Sequence, residues 1–143
     1  MNKLEYILLI DDSDADNHFH KLIISRSGIK CKLTSISSSH DALELLKNGI
    51  SAEDSTLAPL PQVVFLDINM PAMNGFELLA KLREVPDLHD RKKDIRIFML
   101  TGSLNPDDRA LATEQFADLV TGFRVKPLRE NVILDIQQEY FSA

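Results

Sequence analysis

Five polar residues stand where apolar runs stop. Asp11 and Asp12 follow "YILLI", Asp67 closes "PQVVFLD", Thr101 closes "IRIFMLT", and Lys126 sits just past "LVTGFRV". Brought together, they suit charge-rich chemistry. Two carboxylates ~4 Å apart repel by roughly 4 kcal/mol at an effective dielectric near 20, so a proton, a lysine or a divalent cation must offset them. Three acids with carbonyl and water oxygens suit Mg²⁺, a hard ion that keeps several waters and often joins a phosphate to one or two carboxylates. A carboxylate beside such an ion and a lysine is also a nucleophile toward phosphorus. Mg²⁺ and Lys126 would stabilise charge on the transferring phosphoryl oxygens, and Thr101 would hydrogen-bond one of them. Asp67 is the expected nucleophile, because its strand reads as the sheet centre, with Asp11 and Asp12 as the metal pair. The histidines His18, His20, His40 and His89 cluster neither with Cys31 nor with each other, which argues against zinc.

The elements that must position these residues alternate along the chain. "VVFL" has no polar interruption, as expected of a strand buried on both faces. Five strands are expected, at Tyr6–Ile10, Cys31–Ile36, Pro61–Asp67, Ile95–Thr101 and Leu119–Val125, each followed by a helix. The first helix has Ser13 as N-cap, acids in its first turn and Gly28 just past its end, with Phe19, Leu22 and Ile23 on one face. The second runs through "SSSHDALELLKNG" to a stop at Asn48-Gly49, and the third through "NGFELLAKLREV" with Phe76, Leu79 and Ala80 sharing a face widened by Leu78 and Leu82. The fourth is capped by Asn105 with Pro106 at its first position, and the fifth is "RENVILDIQQEYF". "DRKKD" at Asp90–Asp94 reads as a solvated loop, and Asn48–Pro61 as a long connection open to partner contact or simple insertion. Strict alternation implies parallel strands with right-handed crossovers and helices on both faces. In such a sheet the carboxyl ends of the strands line one edge, where ligands bind.

Bulk properties narrow the function classes. The 143 residues suffice for one domain with a real core, spanning 1–143. With 22 acids, 16 bases and a net charge of −6, the chain lacks the basic balance expected of a nucleic-acid binder. No apolar run approaches the ~20 residues of a membrane span, and no small-residue cleavage site comes after "MNKLEYILLIDD". One cysteine excludes an internal disulfide and fits a reducing cytoplasm.

The chain resembles the receiver domain of bacterial two-component response regulators, on "LLIDD" (Leu8–Asp12), "LDINMPAMNG" (Leu66–Gly75), "MLTGS" (Met99–Ser103) and "VKP" (Val125–Pro127), in order and each at a strand end. The resemblance implies an α/β, flavodoxin-like three-layer sandwich: a five-stranded parallel sheet in order 2-1-3-4-5 with five helices. It implies that Asp67 takes a phosphoryl group from a phosphohistidine of a sensor histidine kinase or histidine phosphotransfer protein. Asp11 and Asp12 would bind Mg²⁺ (or Mn²⁺), Asp12 more directly, and the backbone carbonyl of Asn69 would complete the protein ligands with Asp67. Thr101 and Phe123 would be switch residues, Lys126 would pair with the phosphoryl group, and Lys126-Pro127 would be a cis peptide. Met70-Pro71 and Gly75 would shape the loop after the nucleophile, Gly75 by adopting backbone angles closed to other residues. Asn69 and Ser103 would tune phosphoryl lifetime.

The chain departs from the family where Leu119-Val120 replaces a common Gly-Ala, and where Phe123 replaces the commoner tyrosine. The long Asn48–Pro61 loop resembles that of stand-alone regulators associated with phytochrome-type and hybrid sensor kinases. Beyond Lys126 the sequence has room for one helix and no output domain, so output is expected as a changed surface. The face Asn105–Tyr140 would bind a downstream protein or a second copy of the chain; onward phosphorelay is the other possible output.

Rival readings are weaker. A Mg²⁺-dependent phosphohydrolase of the haloacid dehalogenase type needs an acid two residues after the nucleophile, where this chain has Asn69. A nucleotide-binding flavodoxin-like module needs a Gly-rich first turn, and "DDSDAD" would repel a phosphate. A receiver-shaped scaffold that is never phosphorylated would have no use for the intact five-residue set. An EF-hand loop begun at Asp11 fails at Asp16 and Leu22. Asp14 and Asp16 are then expected simply to complement the helix dipole.

Overall fold

A computed structural model describes residues 3–52, 59–102 and 105–141. The strands are β1 (Tyr6–Ile10), β2 (Lys32–Ile36), β3 (Val63–Asp67), β4 (Arg96–Thr101) and β5 (Val120–Val125). All pairings are parallel, and the sheet order is β2-β1-β3-β4-β5. Every residue of β1 and β3 is buried, whereas β2 and β5 are partly exposed, as edge strands must be. The helices are α1 (Asp14–Arg26), α2 (Ser39–Ser51), α3 (Gly75–Arg83), α4 (Leu88–Arg91), α5 (Pro106–Glu114) and α6 (Glu130–Tyr140).

Successive strand residues face opposite layers. Leu8, Ile10, Val64, Leu66, Ile97 and Met99 pack with α2, α3 and α5 through Ala42, Leu46, Leu78, Leu82 and Ala112. Ile7, Leu9, Val63, Phe65, Phe98 and Leu100 pack on the other side with α1 and α6 through Ile24, Ile133 and Ile136. That is the expected three-layer α/β sandwich. Among the described residues, no helix is long and apolar enough to cross a membrane.

Several local expectations need correction. Among the described residues there are six helices rather than five, because "DRKKD" is not a loop: it closes α4 and continues as a 3-10 turn at Lys92–Asp94. Buried Leu88 anchors this turn, and an Arg91–Asp94 pair at 3.0 Å ties its ends. The helix α2 does not stop at Asn48-Gly49 but runs to Ser51. Gly49 is there for space, since a Cβ would lie 3.2 Å from Leu60 Cα of the returning chain. In α3, Phe76, Leu78, Leu79 and Leu82 are buried, but Ala80 is exposed. In α1 the buried residues are Asn17, His20 and Ile24, while Phe19 and Leu22 are 44% and 43% exposed. The apolar residues of α1 thus do not mark its inner face, because that face packs partly on polar groups at the end of β1. The Asn48–Pro61 connection includes residues 53–58, which lie outside those described, as does Ser103.

Candidate functional site

Strand register levels the carboxyl ends. Ile10 pairs with Leu66, Asp67 with Leu100, and Thr101 with Val125. Asp11, Asp67, Thr101 and Lys126 therefore emerge side by side on one edge, over an apolar sheet. The Lys126 backbone N–H donates to the Thr101 carbonyl at 2.6 Å, which ties the last two together.

Asp11 is fixed by the turn it begins. Its Oδ1 accepts from the Ser13 N–H at 3.0 Å, and Ser13 Oγ in turn caps α1 by accepting from the Asp16 N–H at 3.1 Å. Buried Asn17 donates its side-chain amide to the Asp11 carbonyl at 2.9 Å. Asp67 is fixed by the return of the chain into α3. The Gly75 N–H donates to the Ile68 carbonyl at 2.9 Å, and a Cβ on Gly75 would lie 2.6 Å from the Asp67 carbonyl oxygen. Gly75 thus serves close approach rather than unusual backbone angles. The left-handed residue of this loop is Ala72, with φ 66°. Asn74 and Glu77 form a reciprocal capping box that sets the start of α3.

Asp11, Asp67 and Thr101 are buried, and Asp12 is exposed. One carboxylate oxygen from each of Asp11, Asp12 and Asp67 lies within 4.8 Å of the others. The Lys126 ammonium enters from the side, 2.6 Å from Asp11 Oδ2, 2.8 Å from Asp16 Oδ2 and 3.6 Å from Asp67 Oδ1. Asn69 is exposed, and its backbone N–H donates to the Asp67 carboxylate. The Lys126–Pro127 peptide is cis. Phe123 is half-buried on β5, opposite Met99, and lines a groove of ≈360 Å³ between α5 and β5.

The electrostatics follow from burial and crowding. Burial, then the Asp11 charge, pushes the Asp67 carboxyl up to about 6; Lys126 and the Asn69 N–H oppose this, and Asp12 adds to it. Burial alone would lower Lys126, but its bonds to Asp11 and Asp16, followed by the charges of Asp67 and Asp11, hold it above the usual lysine value. Three carboxylates, Asp11, Asp16 and Asp67, thus share one ammonium, with Asp12 adding a fourth negative charge beside Asp11 and Asp67. Such an all-oxygen, charge-rich and partly open donor set fits a hard divalent cation that retains water. Below the site, His20 is buried with no hydrogen bond at Nδ1. Burial, then the Lys126 charge, lowers its pKa, while Asp16 and Asp11 oppose the shift.

Sequence reasoning misses Asn17, which orients Asp11, and the pairing of Asp16 with Lys126. Asn17 carries a signal, being a polar residue one helical turn past the N-cap. Asp16 carries none, because its partner is 110 positions away.

The sequence model of the response regulator receiver domain matches residues 7–137 of this chain. Response regulator Rcp1 of Synechocystis sp. is 34% identical over 107 residues, 75% of this chain and 68% of Rcp1. Two-component response regulator ORR6 of Oryza sativa subsp. japonica is 30% identical over 124 residues, 87% of this chain and 64% of that protein. The chain thus spans about two thirds of the length of these relatives. A two component response regulator from Cytophaga hutchinsonii superimposes with a TM-score of 0.82 at 28% identity, covering 97% of this chain and 98% of that one. The Mn(2+)-bound form of Rcp1 superimposes with a TM-score of 0.70 at 25% identity, covering 97% and 96%.

Proposed function

This chain belongs to the response regulator receiver domain family, and from that premise we propose that Asp67 accepts a phosphoryl group from a phosphohistidine in a Mg²⁺-dependent reaction. The donor is a sensor histidine kinase or a histidine phosphotransfer protein. The observation that carries the reading is the crowding of Asp11, Asp12 and Asp67 within 4.8 Å, with Lys126 beside them.

Asp11 and Asp12 would hold the cation together with Asp67 and the Asn69 carbonyl, and Mn²⁺ would serve in place of Mg²⁺, a reading supported by the existence of an Mn(2+)-bound form of Rcp1. A cation held there would supply charge neutralisation for the phosphoryl oxygens. An Asp67 carboxylate oxygen attacks phosphorus, the P–N bond to imidazole breaks, and the imidazole leaves with the electron pair and takes up a proton. Lys126 compensates charge on the transferred oxygens, and Thr101 hydrogen-bonds one of them. The product is an acyl phosphate on Asp67, about −1.5 to −2 in charge at neutral pH. Thr101 and Phe123 then respond to it, Phe123 moving along the α5–β5 groove, so that the face Asn105–Tyr140 changes shape. That face binds a downstream protein or a second copy of the chain, unless the phosphoryl group is passed onward to another histidine. The chain is not a turnover enzyme, and its partners are cytoplasmic proteins rather than nucleic acid.

Intact mass after incubation with acetyl phosphate tests this. One phosphoryl adduct is expected with Mg²⁺, none in chelator and none in Asp67→Asn. If neither acetyl phosphate nor a phosphohistidine donor gives an adduct, the reading fails.

A further inference from the structure

We infer that Asp16 is a positioning residue of this site: its carboxylate draws the Lys126 ammonium away from Asp67, and phosphoryl transfer is slowed until Lys126 exchanges Asp16 for a phosphoryl oxygen. The inference rests on the phosphoryl-acceptor reading of Asp67.

An ammonium has three N–H donors and no acceptor. Lys126 gives its short contacts to Asp11 Oδ2 at 2.6 Å and Asp16 Oδ2 at 2.8 Å. Asp67 Oδ1, on the carboxylate that would carry the phosphoryl group, is at 3.6 Å, beyond hydrogen-bond range. With two of its three donors so committed, Lys126 has one left for oxygens near Asp67, and the pull of the Asp16 contact leaves the ammonium 3.6 Å from that carboxylate.

The two partners differ in how readily they let go. The Asp11 side chain is 4% exposed, so abandoning it would leave a buried, unpaired charge. The Asp16 side chain is 44% exposed and can be hydrated at once. Its backbone is nonetheless fixed, because its N–H is the one that caps on Ser13 Oγ. Asp16 is therefore a rigidly mounted carboxylate with a solvent-facing head, suited to hold a lysine reversibly. Dipole complementarity in the first turn of α1 would need no contact with a lysine from the other end of the chain. The Asp16 charge also repels an incoming phosphoryl donor, so both effects slow transfer.

Two measurements on the full chain test this with wild type, Asp16→Asn and Asp16→Glu. The first is limited acetylation by acetic anhydride in chelator, following the Lys126 peptide by mass spectrometry against exposed Lys81. Asp16→Asn should label Lys126 about two- to fivefold faster, the scale of one partly exposed ion pair, and Asp16→Glu should label like wild type. The second is the rate of phosphoryl incorporation from acetyl phosphate at saturating Mg²⁺. The same about two- to fivefold gain is expected in Asp16→Asn, with apparent Mg²⁺ affinity unchanged and wild-type behaviour restored by Asp16→Glu. A purely structural Asp16 would lower the thermal midpoint and accelerate neither reaction, which overturns the inference. No incorporation into wild type would defeat the reading of Asp67 itself, and the inference with it. Normal incorporation with unchanged Lys126 labelling would defeat the inference alone.

Discussion

The two ends of the sheet are built on opposite terms. At the amino end one side chain satisfies several backbone groups. Gln62 Oε1 accepts from the Glu5 and Tyr6 N–H groups at 2.5 and 3.1 Å, and Nε2 donates to the Lys3 carbonyl at 2.7 Å. Lys32 lies over the Tyr6 ring and Arg96 over the Tyr140 ring, each cation matched to an aromatic face. At the carboxyl end Asp11, Asp16 and Asp67 share Lys126, and Asp12 crowds against Asp11 and Asp67. One end is satisfied and adds to stability. The other is kept short of positive charge, a deficit that suits a divalent cation and, on the proposed reading, a phosphoryl group.

The contrast can be broken most sharply at Asp67. Asp67→Asn should abolish phosphorylation and yet stabilise the metal-free protein at neutral pH by about 1–3 kcal/mol, read by urea unfolding in chelator. The sign comes from the carboxyl being pushed up to about 6 from 3.8. A carboxyl that holds its proton more tightly when folded stabilises the fold while protonated, and loses that contribution as pH rises from about 4 to above 6. The gap between Asp67→Asn and wild type should therefore be small at pH ~4 and full at pH ~7. Mg²⁺ should narrow it by restoring the wild type. A variant less stable than wild type at neutral pH would show that the site is not strained by charge.

Gly75→Ala comes next. Its Cβ would meet the Asp67 carbonyl at 2.6 Å, so the junction of β3 and α3 must shift. A loss of about 2–3 kcal/mol is expected, with slower phosphorylation because the nucleophile moves too. Gln62→Ala should cost about 1–2 kcal/mol through orphaned backbone groups, with the phosphorylation rate untouched. Asn17→Ala should cost about 1 kcal/mol by removing the 2.9 Å bond to the Asp11 carbonyl, but here the rate should also fall severalfold. Equal effects of Gln62→Ala and Asn17→Ala on rate would erase the distinction between the two ends.

Much of this is legible in the sequence. The runs in β1, β3 and β4 are apolar enough to be read as buried strands, and the acids, threonine and lysine at their ends mark the carboxyl edge. Family motifs supply the strand order and the detailed ligand assignments. Packing reasons are harder to see. Gly49 reads as a helix stop, although it makes room for Leu60, and Gly75 reads as a residue of unusual angles where it makes room for a carbonyl. Sequence shows that a glycine is needed but not which neighbour needs it. Apolar periodicity misplaces the inner face of α1 because Phe19 and Leu22 point outward, while His20 and Asn17 turn toward the site. Such periodicity assumes an apolar neighbour, and beneath a cluster of carboxylates that assumption fails.

The alternation of β3 between two layers has a further consequence for how such a chain can change over time. Val63 and Phe65 serve one layer, Val64 and Leu66 the other, and Asp67 comes next in step. Inserting one residue into this strand would turn every later side chain to the wrong layer. Inserting two would keep the layers but carry Asp67 forward by about 6–7 Å, out of reach of Lys126 and Asp11. The strand acts as a ruler of fixed length, so its descendants can exchange one apolar side chain for another of similar volume but cannot gain or lose a position. Variation in length is left to the connections between elements, and the distance from core to Asp67 is kept.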